Sequence, residues 1–267
     1  MIEMLSMEFM RNALMAGFLV ALTCGIVGSF VVVNRLASLS GGIAHASYGG
    51  IGLSVFFGFS PMIGAFGFSV LCALLMGWLT WKDRSRADTL NGVIWAFGMA
   101  LGIILTDLTP GYTGDMMSFL FGSILTVPMS LVQVMSVLTL VIVGLTAFFF
   151  AEFHAISYDA EFARIRGVRV FPLYLLMIIL IALTVVMATQ AVGLILVIAL
   201  LTIPAYIAES RVGSLKKMIV LSSMISCVLT FGGLLAATVL NLTVGPVIII
   251  FGVFFYLLNL LLRRVGL

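Results

Sequence analysis

The sequence has 267 residues, of which 63% are hydrophobic and 9% charged, with a net charge of +3 and a mean hydropathy of +1.31. A soluble domain is about a quarter charged, and no single core buries this much apolar surface, so the solvent of this chain is a lipid bilayer. The charge is too small to imply a nucleic-acid partner, and the information lies in where the basic residues fall.

A helical crossing needs about 20 apolar residues. In chain order this predicts spans at 13–33, 43–59, 62–81, 90–108, 129–151, 171–189, 191–208, 218–240 and 245–262. The total is about nine, with eight or ten left open because the second and seventh are short and interrupted by glycine or proline. The start, MIEMLSMEFMRN, is acidic where a signal peptide would be basic, and the apolar run after it is too long for a cleaved one; it predicts a retained first span. Cys24, Cys72 and Cys227 fall inside apolar runs without metal-type spacing and read as packing residues.

Charge sets the orientation. With the N-terminus outside, the inner loops hold Arg35; Lys82, Arg84 and Arg86; Arg164, Arg166 and Arg169; Arg211, Lys216 and Lys217; and Arg263 with Arg264, leaving Arg11 outside. That bias is the positive-inside pattern and predicts a cytoplasmic C-terminus. Gly98 and Gly102 form a small-xxx-small pair that predicts a close helix contact, within one protomer rather than at a dimer seam. Between the fourth and fifth spans, TPGYTGDMMSFLFGSILTV at 109–127 predicts an outer re-entrant or surface half-helix. No repeat or linker marks a second domain, so residues 1–267 read as a single transmembrane domain.

One polar island interrupts the apolar runs: EFHAISYDAEFARIRGVRV at 152–170. Ser157 is a candidate N-cap, Asp159 and Glu161 suit a helix start, Arg164 and Arg166 suit its end, and Gly167 suits the stop. Tyr158, Phe162 and Ile165 recur at helical spacing and form an apolar face. At roughly 12 to 14 Å the helix is too short to cross. It either rests on lipid headgroups or docks a soluble protein.

Covalent chemistry has little to work with. There is no G-x-x-x-x-G-K-[ST], no H-E-x-x-H, and only His45 and His154. His45, in SGGIAHASYGG at 40–50, is the intramembrane residue that needs a partner: a buried imidazole is costly when unpaired, and it serves equally as a hydrogen-bonded structural group or a zinc or manganese ligand. Asp107, Asp115, Asp88 in RADTLNG, His154 and Pro204 read more simply as loop, capping, dipole or kinking residues.

DAEFARIRGV at 159–168 and AVGLILVIALLTIPAYIA at 191–208 resemble the coupling region of the zinc and manganese branch of ATP-binding-cassette importer permeases. The resemblance covers nearly the whole chain and implies an all-α polytopic membrane protein of the type II importer kind in a prokaryotic inner membrane. A short cytoplasmic coupling helix within 152–170 would sit in an ATPase subunit, with Asp159, Glu161, Phe162, Arg164, Ile165, Arg166 and Gly167 at the contact. It further implies cytoplasmic ATPase subunits, an extracytoplasmic substrate-binding protein, a second permease copy, no permanent cofactor and a divalent metal as cargo. Family members read Gly-Asp-x-x-x-His-Ala and Leu-Phe-Gly-Asp; here His45 is kept, the first aspartate is read at Gly42, and the second pattern appears as Leu120, Phe121, Gly122, Ser123. Ser47 and Tyr48 are weaker candidate ligands beside His45. With both carboxylates replaced, a metal chelate is the alternative cargo, and a membrane scaffold that anchors a soluble partner is the alternative outside transport.

Overall fold

The structure is a computed structural model that describes residues 7–82, 86–110 and 122–264. Asp115 and the Leu120–Phe121 half of the second family pattern lie outside the described residues. Eleven α-helices and one 3₁₀ turn make up the described chain: α1 Glu8–Val33, α2 Ala37–Phe57, α3 Pro61–Lys82, α4 Ala87–Asp107, the turn Ile124–Thr126, α5 Met129–Phe148, α6 Phe150–Tyr158, α7 Ala160–Ile165, α8 Val170–Val192, α9 Leu194–Glu209, α10 Leu215–Leu240 and α11 Val244–Arg264.

Each predicted span overlaps a helix. Among the described residues seven of these helices, α1, α3, α4, α5, α8, α10 and α11, meet the length and hydropathy of a crossing. The other two have identifiable reasons. α2 is long enough, but its glycines, serines and His45 dilute its hydropathy. α9 has 16 residues because the chain leaves the helix at Gly193, which sits at φ +82° where a side chain would be strained. Pro204 does not interrupt α9; it is buried inside a continuous helix.

The chain divides into two compact units. The first comprises Met1–Val33, Met117–Val143 and Met187–Leu267. In it α1 packs on α9 and α10, and α10 and α9 pack on α11. Small residues allow this: a β-carbon on Gly28 would strike the backbone of Leu201, and Ala13, Ala16, Val20, Ala21 and Cys24 are fully buried. Ser222, Ser226 and Thr230 of α10, at four-residue spacing, are buried with no hydrogen-bond partner for their hydroxyls among the described residues.

The second unit comprises Asn34–Met116 and Gly144–Val186. Its most extensive contact is α2 against α4, and α3 packs on α2. A β-carbon on Gly98 would stand 2.6 Å from the Ala46 Cα, and one on Gly102 would stand 2.6 Å from the Tyr48 carbonyl oxygen. The Gly98 and Gly102 pair therefore serves an intramolecular contact, as the sequence predicts. In a bilayer such backbone approach replaces hydrophobic burial as the source of helix association.

Candidate functional site

The seam between α2 and α4 carries a row of polar contacts among apolar helices. The Ser38 hydroxyl donates to Asp88 Oδ1 at 2.7 Å, and the Asn91 side-chain amide donates to the Ser38 carbonyl at 2.6 Å. The Asn91 carboxamide oxygen lies directly over Gly42, in the place a β-carbon there would occupy. One turn further, the His45 ring stacks on Trp95 with centroids 4.2 Å apart and planes 22° apart. The Trp95 indole N–H points to Met99 Sδ at 3.0 Å. Asp88, Asn91 and Trp95 share one face of α4, and Ser38, Gly42 and His45 share one face of α2, so the two rows mesh step by step.

His45 Nδ1 is buried without a hydrogen-bond partner. An orphaned imidazole nitrogen at this depth is what a cation or a proton donor would satisfy. Ser47 is two residues along the helix from His45, roughly 200° round the axis, and its hydroxyl is spent on the Ala44 carbonyl at 2.6 Å. Tyr48 is buried one turn from His45, at the contact with Gly102. The structure does not gather a carboxylate here. Counted along α2, the position four residues before His45 is Gly41, so the family's aspartate falls at Gly41 and its placement at Gly42 is corrected by one residue. Among the described residues no group of three His, Cys, Asp or Glu side chains is close enough to hold a metal ion.

Asn91 and Trp95 were not legible as site residues. Their only signal is the four-residue spacing within the segment that opens α4, and it gains meaning once α2 is known to lie against it. Ser123 of the second family pattern has extended backbone, and its carbonyl accepts from the Thr126 N–H at 3.1 Å. The neighbouring Gly122 lies so close to the Gly193 backbone that a side chain there would collide.

The polar island folds as two short helices, which corrects the single helix capped by Ser157. The Ser157 hydroxyl instead donates to the Phe153 carbonyl at 2.7 Å inside α6 and accepts from the Asn34 amide at 2.9 Å. Asp159 is the cap: its backbone is extended, and its carboxylate accepts from the Phe162 N–H at 2.9 Å. The helix wins Ser157 because Phe153 and Ile156 are anchored in the core, which carries α6 through to Tyr158.

α7 ends as the sequence predicts. Gly167 sits at φ +83°, its N–H donates to the Arg164 carbonyl, and the Val168 N–H reaches back to the Ala163 carbonyl, both at 3.1 Å. This is a Schellman stop. Ala163 is buried with Ile156 and Val170, against Trp81 and Leu173. The opposite side shows Tyr158, Phe162 and Ile165 at 62%, 50% and 85% exposure, with the Arg166 guanidinium 4.8 Å from the centre of the Phe162 ring. Beside it lies an open groove of about 530 Å³ lined by Phe149, Glu152, Arg166, Val168, Arg169 and Leu173.

Long apolar helices, a polar seam within them and a short capped helix with an uncovered apolar face define a polytopic membrane protein of the permease class. The chain belongs to the ABC 3 transport family, whose model matches residues 6–263. It is 49% identical over 264 residues to an uncharacterized membrane protein of Synechocystis, covering 99% of this chain and 94% of that one. It is 32% identical over 243 residues to the manganese transport system membrane protein MntC of Listeria monocytogenes, covering 91% of this chain and 86% of that one. Among solved structures it resembles PsaBC from Streptococcus pneumoniae in complex with Fab, with a TM-score of 0.86, 31% identity and coverage of 97% of this chain and 93% of that chain.

Proposed function

We propose that this chain is the membrane-spanning subunit of an ATP-driven importer of a divalent transition metal, manganese or zinc. The observation that carries the proposal is α7: a helix capped at both ends, too short to cross, whose Phe162 and Ile165 stand uncovered beside Arg164 and Arg166. A membrane subunit without a phosphate-binding loop needs an external motor, and such a face is where one would dock. The relative in Listeria is named for manganese transport, which favours that metal.

The chain would cross the membrane about nine times, counting the seven long apolar helices with α2 and α9. The N-terminus is outside and the C-terminus cytoplasmic, because Arg35, Arg86, Arg164, Arg211 and Arg263 then share the inner side. Two copies form the path, a binding protein delivers the ion from outside, and His45 meets it on the way. Nucleotide binding between paired ATPase subunits moves α7, and the difference in nucleotide affinity between the two conformations drives the change of access.

A second reading of the cargo has its own support. With Gly41 and Ser123 where family members carry aspartate, the path supplies little negative charge to a bare divalent ion, which suits a metal held by its own chelator. One experiment tests both. The reconstituted complex should drive ATP-dependent uptake of free manganese, lost in His45→Ala while assembly and ATPase binding persist. Uptake of a metal chelate but not of free metal would replace the first reading with the second. Undiminished uptake in His45→Ala would remove His45 from the path.

A further inference from the structure

We propose that Trp95 and Asn91 of α4 are positioning residues for His45, and that the Trp95 indole face favours the imidazole when it carries a cation. The inference rests on His45 meeting the cargo, as proposed above.

The geometry gives each residue a separate task. Asn91 is 8% exposed, and its amide is committed in two directions: the N–H side to the Ser38 carbonyl, the oxygen side to the open space over Gly42. A slide of α2 along α4 by one residue would break both and would also part Ser38 from Asp88. Asn91 therefore fixes the register that puts His45 opposite Trp95. Trp95 is fixed in turn by its N–H bond to Met99 Sδ, one turn on along α4. The indole then covers one face of the imidazole at 4.2 Å.

An indole face is electron-rich and attracts positive charge. Neutral imidazole gains little from it, whereas an imidazole that has given its lone pair to a metal ion is electron-poor and gains more. The stack thus stabilises the loaded state over the empty one, and only such a difference changes affinity. This supplies part of what the missing carboxylates do not. His45 Nδ1, buried without a hydrogen-bond partner, is a nitrogen whose lone pair a cation would satisfy.

Trp78, Trp81 and Trp95 are the three tryptophans of the chain, which makes the pair directly observable. In the full permease carrying Trp78→Phe and Trp81→Phe, Trp95 is the sole indole, and manganese should quench its fluorescence. Adding His45→Ala should abolish that quenching. In the reconstituted transporter, Trp95→Ala should raise the KM for manganese by about 2- to 30-fold with turnover little changed, and Trp95→Phe, which keeps an aromatic face, should fall between. Asn91→Ala should raise KM in the same sense and weaken the quenching. Quenching that survives His45→Ala, or a parental KM in both Trp95→Ala and Trp95→Phe, would overturn the proposal. If Trp95→Ala does not assemble, Trp95→Phe with a parental KM overturns it alone. Quenching that depends on His45 in a complex that moves no manganese would refute import and leave the pair standing; uptake with a parental KM in the Trp95 variants would do the reverse.

Discussion

The α2–α4 seam and helix α7 solve opposite problems within one unit. At the seam, small residues bring two backbones together, and polar side chains find one another across the gap: Ser38 with Asp88, Asn91 with Ser38, His45 with Trp95. On α7 the Asp159 carboxylate caps the helix itself, and the apolar residues Phe162 and Ile165 are left facing outward. A hydrophobic pair costs little in lipid but is disfavoured in water, so its exposure on a helix too short to cross leaves a face that another chain or the lipid surface would cover. The seam meets its partners within this sequence except at His45 Nδ1, whereas the outer face of α7 is uncovered among the described residues.

The contrast breaks most severely at the seam. Gly98→Leu or Gly102→Leu would drive a side chain into the backbone of Ala46 or Tyr48, and neither can yield without separating the helices. Both variants should fail to yield a folded permease, read as loss of a monodisperse species and of a thermal transition. Gly92→Ala is the matched control on the same helix. An added carbon there meets nothing within 4 Å, and replacing glycine inside a helix stabilises by about 0.5–1 kcal/mol, so the protein should fold as before.

At α7 the expected effect is smaller and of another kind. Phe162→Ala with Ile165→Ala should leave the thermal transition of the isolated permease unchanged, because both side chains are already exposed. Affinity for the ATPase subunit should fall by roughly 2 kcal/mol or more, as expected when anchor residues of an interface are truncated. Unchanged affinity in a titration of ATPase onto the membrane subunit would mean that this face rests on lipid instead. Gly167→Ala probes the same surface through its backbone: at φ +83° an alanine should cost about 1 kcal/mol and loosen the end of α7, seen as faster hydrogen exchange at Val168.

The legibility of these two regions differs for a physical reason. Helices that cross lipid are announced by the length of their apolar runs, so seven of the predicted spans fall on helices long and apolar enough to cross. The end of α7 was equally plain, since a glycine after a basic turn is a local signal. Its start was not. Ser157 and Asp159 are both good caps two residues apart, and what decides between them is the anchoring of Phe153 and Ile156 in the core, a tertiary fact. The seam was half visible: a lone histidine among glycines stands out in any apolar run, but Asn91 and Trp95 acquire their roles only from the register of α4 on α2. The break before α9 shows the same limit, because one glycine among many in this sequence carries the positive φ and spacing does not single it out.

The mildest change is the one that sharpens the contrast most. Asp159→Ala removes the acceptor for the Phe162 N–H and a negative charge from a helix start, which together cost about 0.5–2 kcal/mol. α7 has only six residues, so that loss is a large part of what holds it, and its effect should be local: faster exchange of the Phe162 amide and weaker ATPase docking, with the transition of the whole permease little moved. Asp159→Asn keeps an acceptor and should restore most of the protection. Ser157→Ala removes a bond within α6 and its link to Asn34 but no cap, so it should leave Phe162 exchange unaltered. Should Ser157→Ala and not Asp159→Ala expose that amide, α7 would begin two residues earlier in the working protein, and the outward face would turn with it.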